Sequence, residues 1–275
     1  MSRHHFCSAV LLLLFVMMCG NADGAAEGSE QASESTFEWK DIKDVEGVTV
    51  ESLGVPGLLN VGSDVFVVAE AKNKEKEGQG SFTGIASQII TKDIADTPVG
   101  ALTDPKDKTQ FLEDGSENPK KKVDVSRPTT VVEGSDIYML VGKYSPADVV
   151  LPPKNDAEHC GLLLVKGEVS DQSSKRIKWS YANAVPQASV GEQRQSWTEL
   201  IGGGGSGVRM DDGTLVFPVE GTKKGDTEND EKAVSLLICT SDNAASWKLS
   251  KEAPDGGCSD PSVVEWGRGR TKNSS

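Results

Sequence analysis

Side chains on which many enzymes depend are scarce in this sequence. Among 275 residues there are three histidines, three tyrosines and five cysteines, and aromatic residues make up 5%. His4 and His5 lie in an apolar leader, which leaves His159 as the one imidazole of the mature chain. A His-rich zinc site is therefore excluded, and a Ser-His-Asp site could run only through His159. That histidine stands beside Cys160 in a polar stretch and reads as an ordinary loop residue. Cys7 and Cys19 also leave with the leader, and Cys160, Cys239 and Cys258 remain. An odd count allows one disulfide and a leftover thiol without naming the pair, or a partner in a segment outside this sequence. Basic residues are outnumbered as well, 29 against 42 acidic ones, for a net charge of −13. Nucleic acid and anionic lipid are poor partners for such a chain. The run Lys120, Lys121, Lys122 reads as a solvated face.

Long hydrophobic stretches are missing too. Ala9 to Met18 falls short of the ~20 residues a transmembrane helix needs. Placed between Arg3 and the small residues Gly20, Ala22 and Gly24, it marks residues 1–24 as a secretory signal peptide. Residues 25–38 are small, polar and acidic, the composition of a disordered leader. Order is expected to begin near Trp39, in one folded domain over residues 39–267.

Helical periodicity is almost absent, with one weak hint over Ile85–Ile94. Short β-rich runs bounded by Gly, Asp and Asn appear instead: Asp64–Ala71, Asp136–Tyr144, Gly161–Val169, Thr214–Glu220, Ala233–Cys239 and Trp247–Ser250. The fold class is all-β. A repeat organises these strands. Pro56 leads Gly62-Ser63-Asp64 and Pro128 leads Gly134-Ser135-Asp136, each at the same interval, and each turn feeds an apolar strand. Pro261 stands at the same interval before Gly267, and Gly213 is a looser relative. Repeated hairpins favour a propeller or a stacked β array over a single sandwich. After Gly267 the expected apolar strand is replaced by a polar tail over residues 268–275, so the sequence reads as ending within a repeat unit.

Two motifs carry candidate roles. Thr240, Asp242, Ala244 and Trp247 match the Asp box, S/T-x-D-x-G/A-x-x-W/F, in which a short acidic side chain bonds turn amides while the aromatic packs beneath the hairpin. Its role is structural. Gly202–Gly205 followed by Ser206 and Gly207 lacks the Lys-Ser/Thr ending of a phosphate loop and reads as a turn at a crowded inner rim.

The segments Val123–Val132, Ile137–Tyr144, Leu162–Val169, the Gly202 run and Gly257-Cys258-Ser259-Asp260-Pro261 resemble the trypanosomal trans-sialidase superfamily. The leader and Ser81–Gln88 look most like its gp85-like branch of surface glycoproteins. The resemblance implies about three to four blades of a six-bladed sialidase β-propeller. It also implies, in active members, arginines that grip the sialic acid carboxylate, an Asp acid/base and a Tyr–Glu nucleophile pair.

At the matching positions this sequence departs from the pattern. Gly54 stands where the first arginine is expected, before Val55 and Pro56. The A-D-A-R of the family enzyme becomes Ala69-Glu70-Ala71-Lys72. The following loop offers Glu75 and Glu77 where the acid/base Asp is expected. Arg127 replaces a second pocket aspartate, and Asp260 stands for the nucleophile's glutamate partner. Tyr138, Tyr144 and Tyr181 all lie upstream of where the nucleophile belongs.

The resemblance therefore implies a non-catalytic, sialidase-like protein, secreted or at the cell surface, binding host cell-surface glycans or host proteins. No cofactor, metal or membrane span is expected, and no lipid-anchor signal is visible. Alternatives are an active exo-sialidase or trans-sialidase acting on terminal sialic acids, and a non-functional remnant of an antigen family. The sequon Asn273-Ser274-Ser275 falls in the polar tail. If the propeller is partial, open strand edges predict low stability or self-association.

Overall fold

The computed structural model describes residues 37–76, 80–90, 100–115, 119–144, 159–170, 175–186, 197–224, 231–241, 244, 246–251 and 258–264. All of them belong to one compact unit, Ser35–Ser275, whereas the unit Met1–Glu34 lies outside the described residues. The signal peptide, most of the leader and the polar tail therefore fall outside the description, as do Asp242 and Glu77.

Successive antiparallel strands dominate. The first group is β1 (Phe37–Asp41), β2 (Val48–Val61), β3 (Asp64–Glu75), β4 (Ser81–Ile90) and β5 (Thr109–Asp114). The second is β6 (Lys121–Glu133), β7 (Asp136–Tyr144), β8 (His159–Val169) and β9 (Ile177–Pro186). The third is β10 (Trp197–Gly202), β11 (Gly205–Ser206), β12 (Val208–Arg209), β13 (Leu215–Lys224), β14 (Glu231–Thr240) and β15 (Trp247–Leu249). Pairing runs β2-β3-β4-β5, then β6-β7-β8-β9, with β5 and β6 joined at Leu112–Val123 and β1 added to β5. In the third group β10 and β12 both pair β13, which continues to β14 and β15. The described residues thus make three antiparallel meanders, and among them the one parallel contact is β11 on β6. His159, read as a loop residue, opens strand β8 opposite Pro186.

Two-residue turns set the hairpin registers. Gly62 and Gly134 both adopt φ +61°, a region closed to most side chains, and so let Val61 pair Asp64 and Glu133 pair Asp136. The prolines of the repeat are absorbed differently. Val55, Arg127 and Asp260, each directly before a proline, have φ of 46°, 49° and 53°. In β2 and β6 this coincides with a register shift, between Gly54 and Gly57 and between Ser126 and Thr129. A proline that would interrupt a regular ladder is accommodated in a bulge, and the bulge re-aims the residue before it.

The second meander is buried on both faces, and strand periodicity explains how. Ile137, Met139 and Val141 of β7, with Leu163 and Val165 of β8, join the core formed with β2, β3 and β9. Their neighbours Tyr138, Leu140, Leu162 and Leu164 point the other way, into the core with Phe217, Leu236, Ile238 and Trp247. Alternate residues of one strand face opposite sides, so a continuous apolar run serves two cores at once.

The helical hint at Ile85–Ile94 is overturned. Ser81–Ile90 is strand β4, and the remaining residues 91–94 lie outside the description. Ile85 and Ala86 are both fully buried although they point to opposite faces, and a short apolar run of that kind has no period to distinguish strand from helix.

Candidate functional site

Beside the bulges lies a cavity of roughly 530 Å³, and the strand registers explain its lining. From β2 comes Val55; from β3, Glu70 and Lys72, two residues apart and so on one face; from β4, Ser81, Phe82 and Thr83. Strand β6 contributes Asp124, Ser126 and Arg127, and β10 contributes Ile201. Three of the positions singled out from sequence, Glu70, Lys72 and Arg127, are therefore brought together. Gly54 pairs with Glu70 across β2 and β3, and a Cβ built there would meet nothing within 4 Å. Glycine at this position is not enforced by crowding.

Arg127 is the most heavily engaged residue. Its backbone N–H donates to Glu70 Oε2 at 2.9 Å, Nε to the Gly202 carbonyl at 2.8 Å, and Nη2 to the Gly203 carbonyl at 3.3 Å. Nη2 also reaches Asp260 Oδ1 at 2.9 Å and lies 3.8 Å from Glu220 Oε2. Asp260 is fixed in turn by its own N–H, which donates to Glu220 Oε2 at 2.8 Å. The guanidinium is thereby shared between two carbonyls and two carboxylates of its own chain. Lys72 is looser, 4.0 Å from Glu51 and half exposed.

Asp124 is a charged residue of the cavity wall that sequence reasoning passed over. Its Oδ1 accepts from the Thr83 N–H at 2.6 Å and from the Thr83 hydroxyl at 3.3 Å. Burial raises its pKa above the ordinary 3.8, against the lowering effect of the Thr83 bonds. The available signal was alternation: in Val123-Asp124-Val125-Ser126 the valines are buried and the polar residues between them face the cavity.

The other positions fall elsewhere. Glu75, at the end of β3, pairs with Lys122, whose ammonium stands 4.3 Å above the Phe82 ring. Of the Asp-box residues, Thr240 ends β14, Trp247 opens β15 and Ala244 lies between them. Thr240 Oγ1 donates to the Ser246 carbonyl at 2.7 Å, the Ala244 N–H donates to the Ser241 carbonyl at 2.8 Å, and Trp247 is buried under the hairpin. None of these three lines the cavity. Cys239 is buried and Cys258 exposed. The Gly-rich run forms the crowded crossing of the three meanders. A Cβ on Gly202 would lie 2.5 Å from the Arg127 carbonyl, and one on Gly204, at φ +78°, 2.5 Å from Val55. Among the described residues no helix is long and apolar enough to cross a membrane.

The fold is all-β, built of antiparallel sheets, and its neighbours among solved structures are sialidase propellers. A mutant of Trypanosoma rangeli sialidase displaying trans-sialidase activity superposes with a TM-score of 0.54 at 21% identity, over 80% of this chain and 33% of that one. The complex of that sialidase with sialic acid gives 0.53, over 79% and 33%. In sequence, Sialidase 85-1.1 of Trypanosoma cruzi is 27% identical over 226 residues, 78% of this chain and 29% of its own. A second Trypanosoma cruzi sialidase is 30% identical over 145 residues, 50% of this chain and 12% of its own. The chain therefore spans less than a third of the length of these curated relatives. A BNR repeat-like domain profile matches residues 55–271. The chain belongs to the BNR repeat-like family and, within it, to the trans-sialidase superfamily.

Proposed function

We propose that this is an exported, sialidase-like protein that binds glycans of host cell surfaces without hydrolysing them. Each meander is one blade of a propeller, the domain runs over residues 39–267, and the protein acts after secretion or at the cell surface. The observation that carries the reading is Arg127. It stands where the family resemblance puts a pocket aspartate, and its guanidinium is held by Gly202, Gly203 and Asp260. A glycosidase needs an acid and a nucleophile on opposite sides of the scissile bond. Here Asp260, at the position of the nucleophile's partner, is tied to that arginine instead. Gly54 supplies no guanidinium for a substrate carboxylate.

One observation favours the hydrolase alternative. Glu70 and Asp124 share the cavity, and a carboxyl with a raised pKa is the kind that donates protons. Hydrolysis of a fluorogenic sialoside by the purified protein separates the readings, with a complete active family member as control. The expected result is no turnover above buffer, while the same folded preparation binds cell-surface glycoprotein. Turnover above background that is lost in Asp124→Asn would overturn the non-catalytic reading. Neither turnover nor binding would leave the antigenic-remnant alternative standing.

A further inference from the structure

We infer that the cavity selects sugars with a neutral terminus over carboxylate-bearing ones, with Asp124 accepting a hydrogen bond from a ligand hydroxyl. This rests on the glycan-binding reading above and narrows it to a ligand class.

Charge around the cavity comes first. Recognition of a carboxylate calls for a guanidinium free to make paired hydrogen bonds. Arg127 has Nε on one backbone carbonyl, and its Nη2 serves another carbonyl and the Asp260 carboxylate, with Glu220 close behind. A carboxylate seeking a paired bond would have to displace Asp260 from Nη2 and would still meet Glu220, which leaves Nη1 alone for a single contact. Lys72 offers a single hydrated ammonium, half exposed and already near Glu51. Against these stand Glu70 and Asp124 in the wall itself. Two carboxylates thus face any second anion in this cavity, against one guanidinium already engaged and one loosely paired ammonium.

A hydroxyl meets the opposite situation. Thr83 fixes the Asp124 carboxyl through Oδ1 alone, and no donor among the described residues bonds Oδ2. A carboxylate oriented by two donors on one oxygen, partly withdrawn from water and open at the other oxygen, gains from an O–H donor. Ser126, two residues along β6, adds a hydroxyl that can donate or accept, and Val55 and Ile201 provide apolar surface for the C–H face of a pyranose ring. The charged groups sharing the cavity with Asp124 are Glu70, Lys72 and Arg127; its ladder partner on β7 is the backbone of Tyr144. Ligand hydroxyls bind the ionised carboxylate better, and burial places its protonation above pH 3.8, so affinity falls as pH drops through that raised pKa.

The test uses the full chain and immobilised glycoproteins: intact fetuin with sialylated termini, the same fetuin after sialic acid removal, and mannose-terminated ribonuclease B. At least one neutral-terminated glycoprotein is expected to bind tenfold or more tightly than intact fetuin. The matching free neutral sugar competes and free sialic acid does not. Asp124→Asn weakens binding about tenfold and abolishes its fall at acid pH, while its thermal melt shows that it is folded. Equal or tighter binding of intact fetuin, with competition by sialic acid, would overturn the inference and leave glycan binding intact. Unchanged affinity and pH profile in Asp124→Asn would overturn the role of that residue. Binding to none of the three would overturn the glycan reading itself. The wild-type competition and pH profile decide the matter even if the variant does not fold.

Discussion

At Asp124 two effects oppose each other: the cavity wall withdraws the carboxyl from water, while the Thr83 amide and hydroxyl both donate to its Oδ1. Burial is the larger effect, and the pKa is raised from 3.8. The folded chain therefore holds this proton more tightly than the unfolded chain does, and ionisation costs stability above the folded pKa. Asparagine keeps an oxygen for Thr83 and carries no charge. Asp124→Asn is expected to match or exceed the parent in stability at pH 7, and the advantage should vanish as the pH falls towards 3.8. Urea denaturation at the two pH values measures this. A substantially less stable variant at pH 7 would mean that the Thr83 bonds outweigh burial. Nothing in the residue type announced Asp124, because alternation places an aspartate on the face opposite the buried valines without saying whether that face meets solvent or a cavity.

Glycine decides the fate of one element. Segment 202–207 crosses between the inner strands of all three meanders: β11 pairs with β6, Gly203 N–H donates to the Pro218 carbonyl, and Ser206 Oγ donates to the Leu58 carbonyl. A Cβ on Gly207 would collide with the Val216 carbonyl and press on the Val131 methyl. Backbone on one side and a packed core on the other leave it no room. Gly207→Ala is expected to cost about 1–3 kcal/mol, read as a lower denaturant midpoint with an unchanged slope. The glycine run was legible as a crowded turn; the strands it crosses were not. Pro128 argues against a central strand in β6, and the bulge at Arg127 reconciles it with the ladder, whereas β2, with Pro56 and its bulge at Val55, stands at the end of the strand order.

At the scale of the whole molecule, β1 fastens the first meander to the second. It pairs with β5 while Asp41, at its end, accepts from Arg176 Nη2 at 2.8 Å and Gln110 Nε2 at 3.1 Å. Trp39 of β1 packs 6.4 Å from Trp179 of β9. Burial alone would raise the Asp41 pKa, but the Arg176 and Gln110 hydrogen bonds, with the charges of Arg176 and Lys43, outweigh it, and the net shift is downward. The ion pair therefore contributes stability that is complete above the unfolded value near 3.8 and is lost as pH falls through the lower folded pKa. Asp41→Asn should cost about 1 kcal/mol at pH 7, with the difference shrinking below pH 3.8. Thermal melts across that range check it, and a constant difference would place the effect outside ionisation.

The sequence by itself determined the all-β class, the hairpin turns at Gly62 and Gly134 and the strands β3, β7, β8, β13 and β14, because alternation and turn glycines are local signals. The residues at positions 54, 70, 72, 127 and 260 were likewise plain in it, although only the family resemblance marks them as departures. Tertiary structure alone decided that Arg127 meets Asp260 across 133 positions of chain and that Thr83 meets Asp124 across 41. Contacts of that span depend on how bulged strands from different meanders are set against one another. No local periodicity encodes that arrangement, which is why Glu70, Lys72 and Arg127 stood out one by one in the sequence while Asp124 and the partners of Arg127 did not.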